Sequence, residues 1–415
     1  MSRNAEVGDR SWDGRYHCSV AWTGSAFVDD VAVSAAGGII SSVEHGVAPD
    51  DGMTRLEGVV FPGFVNDHSH VFHRLLRGRD SVRRGDFWSW REAMYEVAGQ
   101  LDPDSYRRVA VAAFREMVAS GFTSVTEFHY LHHRPDGRPY DDPNVMADAL
   151  ADAAREAGIR LTLLDTCYLS GGFGLPPEGP QRRFSDGTAQ AWAERVSAWK
   201  PPPGVELGAG IHSVRAVSPR QMGTVAEWAG DRPIHVHLSE QPDENSDCLN
   251  HYGRTPAQVL GDAGILGPNV TAVHATHATH EDVSLLAESG AGVCVCPTTE
   301  RWLGDGIGPT TEFAAAGIPL TIGSDCQAVI DPWEEMRLLE LHQRLATGKI
   351  GGHPPADLLA AGTAGGGIRV GAPADMVAIS PESPRTAGVA PEGLVFAATG
   401  ADVWGVRTAG RAGGS

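Results

Sequence analysis

The feature that most constrains this chain is a repeated alternation. Eight short apolar or β-branched runs recur along it: GVVFPGFVNDH (58–68), GFTSVTEFHY (121–130), IRLTLLDTCYL (159–169), VELGAGIHSVRAV (205–217), RPIHVHLSEQ (232–241), VTAVHATH (270–277), GAGVCVCPTTE (290–300) and PLTIGSDCQAV (319–329). Helical-looking stretches separate them, among them DSYRRVAVAAFREMVAS (104–120), DPNVMADALADAAREAG (142–158) and DPWEEMRLLELHQRLA (331–346). Strands alternating with helices make a parallel sheet. Eight such units predict an α/β fold, a (β/α)8 TIM barrel. A barrel of this kind takes roughly 250 residues, and the chain has 415, so a second, smaller domain fits. Residues 1–57 contain SVAWTGSAFVDDVAVSAAGGIISSVEHG, which alternates like strands with Gly turns, and 368–380 and 393–411 do likewise. We expect a small β domain assembled from both termini, 1–57 and 361–415, around a barrel at 58–360. The Gly/Pro-rich loop GGFGLPPEGPQRRF (171–184) reads as a lid.

Acidic residues outnumber basic ones by 52 to 33, a formal charge of −19. Such a surface repels nucleic acid and anionic membrane, so neither is expected as a partner, and a small molecule is. An anionic substrate would need a local arginine cluster. The six cysteines are scattered, without a C-x-x-C pair, which suits a reduced cytoplasm. Cys294 and Cys296 read as members of a buried strand. The polar N-terminal stretch lacks the apolar core of a signal peptide, and no run approaches the ~18 apolar residues of a membrane span. A cytoplasmic protein is the expectation.

Each run begins apolar and ends in His, Glu, Asp, Arg or Tyr. In barrels of this kind the C-terminal strand ends carry the chemistry. His68 and His70 are two apart, so on one strand both imidazoles face the same spot. His235 and His237 repeat the spacing, followed by His274 and Asp325. Imidazoles with one carboxylate suit Zn²⁺ or another borderline divalent ion. No G-x-S-x-G elbow, H-E-x-x-H, P-C-x-x-C or G-x-G-x-x-G is present, which argues against α/β-hydrolase, metalloprotease, cytidine-deaminase and dinucleotide chemistry.

VVFPGFVNDHSH, HVHLSEQ, VHATH and IGSD, in that order, resemble the amidohydrolase superfamily. FHR, FWSWREAMY, EFHYLHH, QRRF, HSVRAV and LGDGIGP narrow the resemblance to the N-formimidoyl-L-glutamate deiminases of histidine breakdown, over about residues 58–345. The resemblance implies hydrolysis of a formimidoyl carbon–nitrogen bond by a metal-activated water. The alternative is deamination of another small amidine, guanidine or amino-heterocycle. By motif, His68, His70, His237 and Asp325 would hold the metal. Glu240 would shuttle protons, and His274, with Asp325, would orient the water and polarise the substrate. His235 would be a packed strand histidine. Some members of the superfamily bridge two metals with a carbamylated lysine on the fourth strand. That strand has none here, and Lys200 and Lys349 are the only lysines, which leaves one divalent ion, zinc. Tyr130, His212 and Arg215 would hold the substrate. Arg91 would be a second carboxylate partner, in its own subunit or in a neighbour's site within a homodimer, or else an exposed charge at a helix start. Arg182 and Arg183 would close over an anion from the lid or stand in solvent. The chain departs from the family at His73, where a Gln is usual, at Cys326-Gln327 in place of Ser-His, and in a shortened final barrel helix. His73 would bring a group that titrates near neutrality to the substrate.

Overall fold

A computed structural model describes residues 13–78 and 87–408; the remaining ends of the expected small β domain lie outside the described residues. The chain starts in an antiparallel meander, β1 (Gly14–Trp22), β2 (Phe27–Ala36) and β3 (Ile39–His45), and returns as β4 (Met53–Pro62) parallel to β1. It then enters the barrel, whose strands are β5 (Phe64–Ser69), β6 (Phe122–His129), β7 (Arg160–Cys167), β8 (Val205–Ser213), β9 (Ile234–Leu238), β10 (Val270–His274), β11 (Gly292–Val295) and β12 (Leu320–Ile322). All pair in parallel in sequence order. β13 (Met376–Ile379) then pairs antiparallel with β4, and β14 (Val403–Arg407) with β13, which completes a six-stranded sheet from both termini.

The run read as a first barrel strand, 58–68, is therefore divided between two sheets. Gly63 makes the crossing: a Cβ there would meet Thr123 Oγ1 at 1.9 Å, so no side chain fits. The seams expected at 57/58 and 360/361 fall inside β4 and inside the helix Pro355–Gly362. Residues 393–411 are not strand throughout, because Leu394–Ala397 forms a helical turn packed by buried Leu394 and Val395.

The helices lie where the apolar periodicity put them, with ends set by local chemistry. The helix Pro103–Ser120 starts in a reciprocal cap between Asp102 and Ser105 and stops at Gly121, at φ +110°. Leu161, Leu163, Val236, Ala272, Val293 and Ile322 pack with the helices into one continuous core. Cys294 and Cys296 are buried on and just after β11, and all six cysteines are free and buried. Among the described residues no helix is long and apolar enough to cross a membrane.

The barrel closes between its first and last strands at the candidate metal ligands themselves. Asp325 N–H donates to His68 O at 3.0 Å, and His70 N–H donates to Asp325 O at 3.2 Å. The β5–β6 register slips between Asn66 and Ser69, a bulge that re-aims this end of the strand.

Candidate active site

His68, His70 and His237 converge. Their Nε2 atoms lie 3.1, 3.3 and 3.0 Å apart in turn, and Asp325 Oδ1 stands 3.5 Å from His68 and 3.4 Å from His70. The outer nitrogens explain why the inner ones are free to coordinate. His70 Nδ1–H donates to Phe128 O at 3.0 Å and His237 Nδ1–H to His212 O at 2.9 Å. Each neutral ring then points an Nε2 lone pair inward. Burial drives the His68 imidazole down to about 3 and lowers His70 and His237 as well, so all three are neutral at ordinary pH. Burial opposes the charge on Asp325, but a hydrogen bond from His68 and the nearby His274, whose own pKa is raised, hold its carboxyl far below the usual range. The inward lone pairs of His70 and His237 face each other at 3.3 Å and repel unless a cation lies between them. Nitrogens bound tetrahedrally to zinc at ~2.0 Å are about 3.3 Å apart, close to the spacing here. The donor set fits one divalent cation.

His274 adjoins this group, with its donor atom within 4.8 Å of those of His68, His237 and Asp325. Its Nε2 stands 3.7 Å from Asp325 Oδ2 and 3.8 Å from Glu240 Oε1, and its Nδ1 is 3.3 Å from Glu300 Oε1. Burial would lower the ring's pKa, but Glu240, Glu300 and Asp325 raise it well above the ordinary value. Burial pushes Glu240 up to about 7, with His274 pulling it down.

Above this group the barrel mouth opens into a pocket. It is lined by every expected substrate residue: His73, Arg91, Tyr130, His212 and Arg215. The helix Phe87–Ala98 forms one wall with Phe87, Trp90, Arg91, Met94 and Tyr95. Arg91 lines the cavity of its own chain, its guanidinium 5.7 Å from the Tyr95 ring centre. Arg215 Nε lies 3.7 Å from Glu244 Oε2, an acid on the first turn of the helix Pro242–Tyr252.

Three expectations are corrected. His73 is buried against Trp90, with Nε2 3.1 Å from Tyr130 OH, and burial holds its pKa well below the ordinary value. It reaches the cavity as a neutral ring and does not titrate near neutrality. Arg183 neither closes over an anion nor stands in solvent: it is fully buried and donates to Ala98 O and Leu101 O, capping the end of the wall helix. The segment read as a lid is in part a fixed wall, a 3-10 turn at Gly179–Phe184 that brings Phe184 into the lining. Gln327 faces away from the cavity, where its Nε2 donates to Ser69 Oγ at 2.9 Å and braces the closing strands. His235 is buried 4.0 Å from Asp67 and lies outside the metal group, as the family resemblance implied.

Sequence reasoning missed two carboxylates that hold the site from behind. Glu127, pushed up to about 8 by burial, accepts from Ser69 Oγ at 2.5 Å and Val71 N–H at 2.8 Å, and so fixes the turn that carries His70. Glu300 holds His274. The signal was there: Glu127 lies in EFHYLHH, and Glu300 is the polar end of the seventh run.

Residues 59–395 match the profile of the amidohydrolase family, and the chain belongs to that family, a metal-dependent class of hydrolases. It is a hydrolase acting on carbon–nitrogen bonds. The chain is 42% identical over 320 residues to the formimidoylglutamate deiminase of Pseudomonas aeruginosa, covering 75% of this chain and 70% of that protein. It is 32% identical over 295 residues to an 8-oxoguanine deaminase of the same species, covering 69% of this chain and 63% of that protein. The crystal structure of an amidohydrolase from Brucella melitensis superposes with a TM-score of 0.88 at 34% identity, covering 96% of this chain and 94% of that one.

Proposed function

We propose that the chain hydrolyses N-formimidoyl-L-glutamate to N-formyl-L-glutamate and ammonia, a step of histidine breakdown. The observation that carries this reading is the presence of Arg215 and Arg91 on the wall of the one cavity that also holds Glu240, His274 and Asp325. A substrate with an amidine at one end and carboxylates at the other needs that combination. The chain's charge of −19 disfavours an anion at long range, so two local guanidinium forks must do the recognition. Identity of 42% with a formimidoylglutamate deiminase supports the same substrate.

His68, His70, His237 and Asp325 would hold one divalent ion, in our reading zinc. When bound, the ion supplies Lewis acidity and lowers the pKa of a water from about 15.7 toward 7. No lysine lies on β8 to bridge a second ion. Glu240, with its pKa raised by burial, is suited to take the proton of the attacking water and hand it to the departing nitrogen. The water oxygen bonds to the formimidoyl carbon, the terminal carbon–nitrogen bond breaks, and ammonia leaves. His274 aims Nε2 at the reacting centre. Tyr130 and His212 brace the substrate's body, while Trp90, Tyr95 and Phe184 keep bulk water out.

A second reading is deamination of another small amidine, guanidine or amino-heterocycle. It is favoured by His73, a ring in place of the usual Gln, in a mouth already rich in aromatic side chains. Ammonia release from N-formimidoyl-L-glutamate, its decarboxylated analogue and 8-oxoguanine separates the two. Turnover of the dicarboxylate at least tenfold above the others in kcat/KM is expected. Equal or faster turnover of the analogue or the heterocycle removes the carboxylate clamp and favours the second reading.

A further inference from the structure

Behind His274 lies a carboxylate outside the metal-binding group. Glu300 is only 3% exposed and sits on the first turn of the helix Pro297–Leu303. Its Oε1 accepts the Cys296 backbone N–H at 2.8 Å and stands 3.3 Å from His274 Nδ1. The oxygen that accepts the Cys296 amide also faces His274 Nδ1, so Glu300 offers the ring an acceptor on that side. The opposite nitrogen, Nε2, is thereby turned toward Asp325 and Glu240, at 3.7 and 3.8 Å. The backbone supplies a second observation. His274 and Ala275 sit at φ +70° and +50°, the left-handed region that non-glycine residues avoid. A side chain leaving the strand from so unusual a conformation needs a partner to fix its ring plane. Glu300 is the partner on its far side.

We propose that Glu300 is a positioning residue that sets the ring plane of His274 without touching substrate. Glu300 is itself anchored twice over, by its helix and by the Cys296 amide, so its own position does not depend on the ring it holds. The inference rests on the reading above in which His274 acts on the substrate. The competing role for Glu300 is a helix cap and nothing more.

Three variants separate the roles. Glu300→Gln keeps an acceptor oxygen of the same reach and should stay within about threefold of wild type in kcat. Glu300→Asp still offers a carboxylate near the helix start, but its stem is one carbon shorter and should not reach His274. Both it and Glu300→Ala should lose about 10–100-fold in kcat, the usual worth of a group that orients a functional histidine. KM should change less than about threefold and metal content should stay at one ion per chain. In a His274→Ala background the same changes at Glu300 should cost nothing further, because the two residues act as a unit. A crystal structure of metal-free Glu300→Asp gives a readout independent of turnover: the His274 ring should be rotated while the helix Pro297–Leu303 stays in place. An unmoved ring, wild-type kcat in Glu300→Asp, or additive losses in the double variant would overturn the proposal. If wild-type protein releases no ammonia from N-formimidoyl-L-glutamate, the substrate reading fails, and the crystal structure still decides the role of Glu300.

Discussion

On the proposed reading, Glu240 and Arg215 separate catalysis from recognition most sharply. Glu240→Gln preserves shape but cannot accept a proton, so kcat should fall by on the order of 10²–10⁴ with metal content and fold intact. Steady-state kinetics with elemental analysis checks this, and near-normal turnover would transfer the proton role to His274. At Arg215 the question is geometry as much as charge. Glu244 lies on the Nε side of its guanidinium, which leaves the terminal nitrogens to fork a carboxylate. Arg215→Lys keeps the charge and loses the fork, so kcat/KM should drop by about 10–100-fold, corresponding to roughly 1.5–3 kcal/mol for a charge-assisted hydrogen bond. A lysine variant with unchanged kcat/KM would mean that Arg215 acts only as a point charge. Both residues were legible from sequence because each ends a strand-like run in a recognisable motif. The protonation of His73 was not, because burial that lowers an imidazole pKa is a property of neighbours such as Trp90 and Tyr130.

One element matters to function more than its sequence indicates: the helix Phe87–Ala98, which brings five side chains to the cavity wall. Its C-terminal end is held by Arg183 through Ala98 O and Leu101 O, and Tyr95 OH accepts from Gln181 Nε2 at 3.0 Å. Arg183 thus satisfies the Ala98 carbonyl at the helix end and the Leu101 carbonyl in the turn that follows. Arg183→Met should free the helix end and raise KM several-fold, with a smaller effect on kcat, since in the proposed reading the wall binds substrate and does not move protons. Hydrogen exchange checks the cause: faster exchange should be confined to residues 87–101 and 179–184, and unchanged exchange there would remove Arg183 as the anchor. The motif QRRF pointed to this segment, but no periodicity tells which of two adjacent arginines is buried and which faces out.

Across the whole molecule, the barrel is closed where the candidate metal ligands sit, so metal and fold should be coupled. Removing the metal with a chelator should lower Tm, and one equivalent of Zn²⁺ should restore it, because a ligand that binds only the folded state stabilises it by mass action. Calorimetry checks this; a Tm indifferent to chelation would uncouple the two. A second buried network lies outside the cavity. Arg195 bridges Asp165 at 2.8 Å and Asp186 at 2.9 Å, and His133 stands 3.1 Å from Asp186. Burial opposes the charge on Asp165, but Arg195 and His132 lower its carboxyl to about 2. The folded pKa lies below the unfolded value of about 3.9. The pair therefore stabilises the fold fully above pH ~4, and that contribution is lost as pH falls through about 2. Arg195→Met strands two buried carboxylates and should cost about 3–5 kcal/mol at neutral pH. Denaturant unfolding measures it, and a loss below about 1 kcal/mol would show the network relaxed without cost.

The order and spacing of the eight runs determined the parallel barrel, because period-2 and period-3.6 patterns are local and leave few ways to bury their apolar faces. The same runs placed His68, His70, His237, Glu240, His274 and Asp325 at strand ends, where a barrel gathers them whatever its details. Tertiary structure alone decided the rest. Whether residues 58–62 joined the small sheet or the barrel turned on a close approach at Gly63. Whether Arg183 met solvent, substrate or a helix end turned on the open carbonyls of residues 98 and 101. Which nitrogen of His274 faces the reacting centre turned on Glu300, 26 residues away along the chain. Each of these depends on a contact between segments distant in sequence. Local pattern carries no record of such contacts, since many sequences satisfy the same pattern and only the packed chain selects the partner.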